Sequence, residues 1–272
     1  MRRYYLFIVQ ELQKYLRESG FSNVLIGLSG GIDSALVAAI AVDALGSERV
    51  YTVMMPSPYT SKQSIEDAEE IAKRLEVEHT IIPINHIMKS FEASLSRVVE
   101  WEPEDITEQN LQARIRGVIL MGLSNKTNKM VLATSNKSEI LTGYFTLHGD
   151  TCGGYAPISS LFKTQVYELV RWRNENIVEG LNLQKRYIIP KTISEKLPTA
   201  ELRYSQKDLD TLPEYKILDQ ILALDLQKQG IQDVAKALQL DEQVVSRVAD
   251  MVKKSEYKRR YLPVSPNLSL LD

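Results

Sequence analysis

A single cysteine, Cys152, stands in a chain of 272 residues. An intramolecular disulfide is therefore impossible, and a cysteine-built metal centre is excluded. Charge of one sign is also lacking: 33 Lys and Arg against 35 Asp and Glu leave a net charge of -2. No broad electrostatic footprint for nucleic acid or an anionic membrane follows from that balance. Apolar runs are short, and the longest, residues 35–42, falls well below the roughly 20 residues that span a bilayer. The start, Met1-Arg2-Arg3-Tyr4-Tyr5-Leu6, lacks the apolar core of a signal peptide. These absences predict a cytoplasmic protein, neither exported nor anchored, whose partner is a small molecule. Two familiar phosphate-binding signatures are missing as well. There is no Gly-x-x-x-x-Gly-Lys-Ser/Thr and no Gly-x-Gly-x-x-Gly.

Present instead is Gly27-Leu28-Ser29-Gly30-Gly31-Ile32-Asp33-Ser34, preceded by Val24, Leu25 and Ile26 and followed by the alanine-rich residues 35–41. An apolar strand, a glycine turn and a helix build an anion site from backbone. The first N–H groups of the helix lack partners, its dipole is positive there, and glycines admit a phosphate closely. Asp33 is placed to bind a metal, and Ser29 and Ser34 to reach phosphate oxygens. The plainer alternative is a tight turn with Asp33 as a helix cap.

The rest of the chain reads as alternating strands and helices. Residues 4–18 carry Tyr5, Ile8, Val9, Leu12 and Leu16 at helical spacing. Helices are expected at about 34–45, 61–75, 84–95, 107–123 and 163–176, and strands at 24–26, 50–55, 79–82 and 129–134. This alternation predicts an α/β fold with a doubly wound, mostly parallel sheet, whose ligands sit beyond the strands' carboxyl ends. Residues 135–139 put polar side chains at another such end. Residues 142–162 read as a long loop, 184–203 as irregular, and 213–254 as helical throughout. One domain over 1–272 is expected, with a parallel-sheet core at about 20–200 and a helical C-terminal extension at about 213–262.

The ordered set of motifs resembles the NAD synthetases, within the ATP pyrophosphatase superfamily. It comprises SGGIDS at 29–34, QNLQARIR at 109–116, ATSNKSE at 133–139, GYFTLHGD at 143–150, PTAEL at 198–202 and EYKRR at 256–260. The resemblance implies that ATP adenylates the carboxylate of deamido-NAD with release of pyrophosphate, and that ammonia then displaces AMP. It implies that Gly27, Leu28, Ser29, Gly30, Gly31, Ile32, Asp33 and Ser34 hold ATP, together with Thr134, Lys163 and Thr199. Asp33 and Glu139 would carry Mg2+, with Asp33 and Lys163 as the catalytic pair, and Arg114 and Lys258 would meet deamido-NAD. The aromatics Trp101, Tyr144, Phe145 and Tyr155 are expected either to stack on substrate rings or to pack in the core.

The chain departs from the ammonia-dependent branch at Leu147 and Gly154, where that branch has a lysine and an aspartate on deamido-NAD; neither role is carried over. Residues 153–158 look more like the glutamine-dependent branch, yet Met1 starts only about two dozen residues before the cradle, and Cys152 lies inside the synthetase loop. Free ammonia is therefore the expected nitrogen donor, with a separate glutaminase left open. The family is homodimeric, and residues 84–123 are the expected interface. The rivals are another ATP pyrophosphatase, such as a GMP synthetase core or a tRNA-modifying enzyme, and a DNA-binding protein using residues 230–254 as a helix-turn-helix.

Overall fold

The computed structural model describes residues 1–224 and 229–271. Its elements run α1 (Arg2–Glu18), β1 (Val24–Gly27), α2 (Ile32–Leu45), β2 (Val50–Met54), α3 (Lys62–Leu75), β3 (Glu78–Ile81), α4 (Asn85–Leu95) and α5 (Ile106–Thr127). There follow β4 (Met130–Leu132), α6 (Lys137–Thr142), α7 (Lys163–Glu175), α8 (Lys191–Ser194), α9 (Tyr215–Ala223), α10 (Ile231–Leu238), α11 (Glu242–Lys254) and α12 (Glu256–Arg259). The four strands form one parallel sheet in the order β3-β2-β1-β4. Val24 stands opposite both Val50 and Met130, which fixes the register across the centre.

Alternation along the strands sends successive residues to opposite faces. Val24 and Ile26 face a core shared with α1, α2 and α7, while Leu25, Val53 and Val131 face Met88, Ile115 and Leu120 of α4 and α5. Helices therefore cover both faces, as expected of a doubly wound sheet. The five α1 residues picked out by spacing, Tyr5, Ile8, Val9, Leu12 and Leu16, are its buried residues. Each such aliphatic side chain contributes about 1.5–3 kcal/mol by burial. Helix α2 is apolar all round because α1, α7 and the sheet enclose it.

The chain winds from β1 through β2 to β3 on one side and returns to place β4 on the other. That reversal leaves a crevice at the carboxyl ends of β1 and β4. The cradle follows β1 and α6 follows β4, so both polar stretches meet there.

Several expectations need adjustment. Helix α2 starts at Ile32 rather than Ser34, because Gly31 adopts an extended conformation and caps it. Helix α6 arises inside the stretch read only as polar side chains at a strand end. The expected loop 142–162 contains a sheet extension: Tyr155 bridges Leu132 and Val264, with Ala133 N–H donating to the Tyr155 carbonyl (2.9 Å). The stretch 213–254 is not one helical run. Gly230 is extended, Gln239 is left-handed, and Asp241 caps α11 through the Gln243 N–H (2.8 Å); residues 225–228 of that stretch lie outside the described residues. Helices α9, α10 and α11 share their own apolar cluster, reached by Leu141, Tyr144 and Phe162. The α10–α11 pair thus buries its apolar faces against α9 and the α6 region. Among the described residues, no helix is long and apolar enough to cross a membrane.

Candidate active site

Backbone sterics shape the cradle. Gly30 has φ +78°, and a Cβ there would stand 2.1 Å from the Ser64 carbonyl oxygen, so only glycine fits between the loop and α3. The Ser34 hydroxyl is buried, donates to the Gly31 carbonyl (3.0 Å) and accepts from the Ser29 N–H (3.2 Å). Ser29 Oγ lies 3.1 Å from it but is exposed at the cavity. Of the two hydroxyls assigned to phosphate oxygens, one shapes the loop and the other faces outward.

Beside the cradle stand two carboxylates and one ammonium. Asn136 and Glu139 form a capping box at the start of α6: Asn136 Oδ1 accepts from the Glu139 N–H (3.1 Å), and Glu139 Oε2 from the Asn136 N–H (3.2 Å). Asn136 Nδ2 also donates to Asp33 Oδ1 (3.1 Å), tying β4's end to α2. Lys163, buried at the first position of α7, donates to Asp33 Oδ2 and lies 3.6 Å from Glu139 Oε1. Burial disfavours the Lys163 charge, yet Asp33 and Glu139 hold its pKa above the ordinary value. Glu139 is pushed up by burial and by the like charge of Asp33, against the pull of Lys163. The three groups so widely separated in the sequence are therefore brought together.

Lys163 is aimed by Asp219 of α9, which no local pattern marked. Its carboxylate accepts from Ser138 Oγ (2.5 Å), the Thr164 N–H (2.8 Å) and Thr164 Oγ1 (2.7 Å). Ser138 in turn accepts from the Lys163 N–H (2.9 Å). The C-terminal helices thus hold α6 and α7 in mutual register.

These groups open into a cavity of about 580 Å³ whose lining includes Gly27, Thr134, Arg114, Thr199 and Lys258. On the α5 side, Arg114 Nε donates to the Leu147 carbonyl (3.2 Å). Lys258 Nζ donates to the Gly143 and Phe145 carbonyls (2.8 and 2.7 Å), and burial lowers its pKa against the attraction of Asp150. Leu147 reaches the cavity, while a Cβ on Gly154 would stand 3.1 Å from Met130 Cγ, so a larger residue there requires the Met130 side chain to shift. Phe145 and Tyr144 line the cavity, whereas Tyr155 is buried and stacks on Tyr15 (centroids 4.6 Å apart). Trp101 is not part of the lining.

The third wall is the segment 196–208. Thr199 Oγ1 donates to the Gln206 carbonyl (2.6 Å). Glu201 accepts from Ser61 Oγ and Ser64 Oγ (both 2.8 Å), and Lys196 Nζ lies 3.4 Å from it. Asp208 accepts from the hydroxyls of Tyr144 (3.2 Å) and Tyr215 (2.8 Å), and burial raises its pKa. Asp208 escaped the sequence reading, and Glu201, although inside the PTAEL motif, was given no role there, because each is engaged mainly by partners in other elements. The Asn-x-x-Glu spacing at 136–139 is the one local signal that announces α6.

A magnesium ion can be tested against this donor set. Asp33 and Glu139 are hard oxygen donors beside a phosphate cradle, and magnesium uses one or two carboxylates together with substrate phosphates. No group of three or more His, Cys, Asp or Glu able to hold a metal occurs among the described residues. The residues fit an ion held jointly with a nucleotide.

A parallel sheet with a glycine cradle at its switch point, and a lysine between two carboxylates, defines an α/β nucleotide-binding protein of the ATP pyrophosphatase fold. The sequence profile described as NAD synthase matches residues 4–262, and the chain belongs to that family. It is 47% identical over 262 residues to the glutamine-dependent NAD(+) synthetase of Thermotoga maritima, a match covering 96% of this chain and 44% of that protein. The chain thus spans less than half the length of that relative. The solved NMN synthetase of Francisella tularensis superposes with TM-score 0.79 at 29% identity, covering 98% of each chain. The NH3-dependent NAD synthetase of Campylobacter jejuni gives 0.74 at 28% identity, covering 94% of this chain and 95% of that one.

Proposed function

We propose that this chain carries out the synthetase reaction of NAD formation: ATP adenylates the deamido-NAD carboxylate, pyrophosphate leaves, and ammonia displaces AMP. The observation that carries the reading is Lys163 set against Asp33 and Glu139 beside the cradle, in one cavity with Arg114 and Lys258. Backbone N–H groups of residues 27–34 receive the ATP phosphates, and Thr134 and Thr199 line the nucleotide's path. Lys163 offers a fixed positive charge where negative charge builds on phosphate oxygens, without reorganisation of solvent. Asp33 and Glu139 would hold magnesium, which supplies charge neutralisation on the phosphates when bound. Arg114 and Lys258 bind and orient deamido-NAD from the opposite wall. A carboxylate is a poor electrophile, so holding both substrates in one cavity is what the first step requires.

Ammonia is the nitrogen donor in this reading, free or delivered by a separate glutaminase. Cys152 does not serve as a glutaminase nucleophile: its thiol faces the Gly117 carbonyl (3.5 Å), and burial raises its pKa. We also propose a cytoplasmic homodimer joined through α4 and α5. Exposed Phe91 on α4, and Val118 and Met121 on α5, support that face; a fully active monomer at working concentration overturns it.

The test is a coupled assay for NAD formation from deamido-NAD, ATP and magnesium, with ammonia or glutamine as alternatives. Ammonia-dependent NAD is expected, and Asp33→Ala should lower kcat/KM by about 10²–10³. Equal efficiency with glutamine overturns the donor assignment. Pyrophosphate release driven by xanthosine monophosphate overturns the substrate. The fold likeness to an NMN synthetase makes the corresponding mononucleotide the second acceptor to include.

A further inference from the structure

Arg116 is half-buried on α5 and faces the cavity, two residues beyond Arg114. A guanidinium offers five N–H donors. Among the described residues, its one hydrogen bond runs from Nε to the Met55 carbonyl (2.9 Å). The carboxylates that attract it, Asp150 and Glu201, act through space and form no ion pair with it. Both are already engaged: Asp150 accepts from the Thr146 N–H (2.7 Å), and Glu201 from Ser61 and Ser64. Burial draws the Arg116 pKa down to about 10.

Its placement is as specific as its lack of partners. Met55 directly follows β2, and its Cε lies 3.5 Å from where a Cβ on Gly27 would stand. The bond to the Met55 carbonyl holds the guanidinium at the end of β2, in the lining of the same cavity as Gly27 and the cradle. Withdrawing a charge from water without a counter-ion is costly. Such a charge is well matched to an incoming anion, and the planar fork of arginine suits two phosphate oxygens at once.

We propose that Arg116 is a substrate-binding residue, gripping a phosphate group of the bound nucleotide with the donors its Met55 bond leaves free. The inference rests on the reading of the cavity as a site for ATP and deamido-NAD. Either ligand could bring the phosphate, and their chemistry at this point is the same.

The experiment is calorimetric titration of α,β-methylene-ATP and of deamido-NAD into wild-type protein, Arg116→Met and Arg116→Lys. Their phosphate-free counterparts, adenosine and nicotinic acid riboside, serve as controls. Arg116→Met should weaken one phosphorylated ligand about 10- to 100-fold while leaving its nucleoside within about twofold. The ligand affected identifies the source of the phosphate. Arg116→Lys should lose less, since it keeps the charge without the fork, and it decides the matter if Arg116→Met does not fold. Unchanged binding of both phosphorylated ligands overturns the assignment of Arg116 alone, as does an equal loss for the nucleosides. Wild-type protein that binds neither phosphorylated ligand overturns the reading of the cavity, and this inference with it.

Discussion

Two arginines of this protein stand in opposite electrostatic situations. Arg173, on α7, is 0% exposed, and all five of its donors are used. Nε and Nη2 bond Asp43 (2.6 and 3.1 Å), Nη2 also bonds the Leu183 carbonyl (2.7 Å), and Nη1 bonds the Asn176 and Lys185 carbonyls (both 2.9 Å). Asp43 is closed in turn by the Tyr5 hydroxyl (2.6 Å) and the Leu183 N–H (3.3 Å). Arg116 spends one donor on a carbonyl and has no carboxylate at contact distance. A charge network that satisfies itself belongs to the architecture. One left open toward a cavity awaits a ligand, and the difference lies in partner geometry rather than residue type.

The comparison breaks most visibly at Asp43. Asp43→Ala leaves Arg173 buried without its counter-ion, and loss of one partner of a buried pair costs about 3–5 kcal/mol. Urea unfolding should record that loss, while kcat/KM per folded molecule stays near the wild-type value. Lost activity at unchanged stability would remove Asp43 and Arg173 from the architectural class.

Gly30 sharpens the comparison from the cradle side. Gly30→Ala combines a left-handed backbone with a Cβ placed 2.1 Å from the Ser64 carbonyl oxygen. A cost of about 2–4 kcal/mol follows if the loop holds its position. If the loop moves away instead, stability is spared and affinity for ATP falls. Calorimetry beside thermal unfolding separates these two routes, and wild-type values in both would show that the cradle does not need glycine at this position.

Legibility in the sequence followed the range of the interactions. The buried stripe of α1 and the apolar strands were readable because helical and strand periods are local, and the cradle because glycine, hydroxyl and carboxylate are adjacent in the chain. Lys163, Glu139 and Arg114 carry no local signal that separates them from solvated helix charges, and only the family resemblance singles them out. Asp208 and Asp219 gave no such sign, since their partners lie in other elements and a lone carboxylate has no period; Glu201 stood inside the PTAEL motif, but nothing in the sequence announced its bonds to Ser61 and Ser64. Helix α6 was too short for periodicity, though its Asn136 and Glu139 carried a capping-box spacing. The break of the C-terminal helices at Gln239 was legible only in the helix-turn-helix reading of 230–254, because a left-handed glutamine itself looks like any other in the sequence.

Asp208 gives the smallest and most graded test. It is 5% exposed and held by two tyrosine hydroxyls, an intermediate state between the closed Arg173 network and the open Arg116. Burial raises its pKa above the ordinary 3.8. The folded state therefore binds the proton more tightly than the unfolded chain. This contribution to stability is complete below the unfolded pKa and is lost as pH rises through the folded one. Asp208→Asn removes the titration while keeping an acceptor for one tyrosine. Measured by urea unfolding from about pH 4 to about pH 7, the stability of the variant relative to wild type should rise with pH. A difference independent of pH would mean that Asp208 is solvated well enough to ionise freely, and would place it with ordinary surface carboxylates.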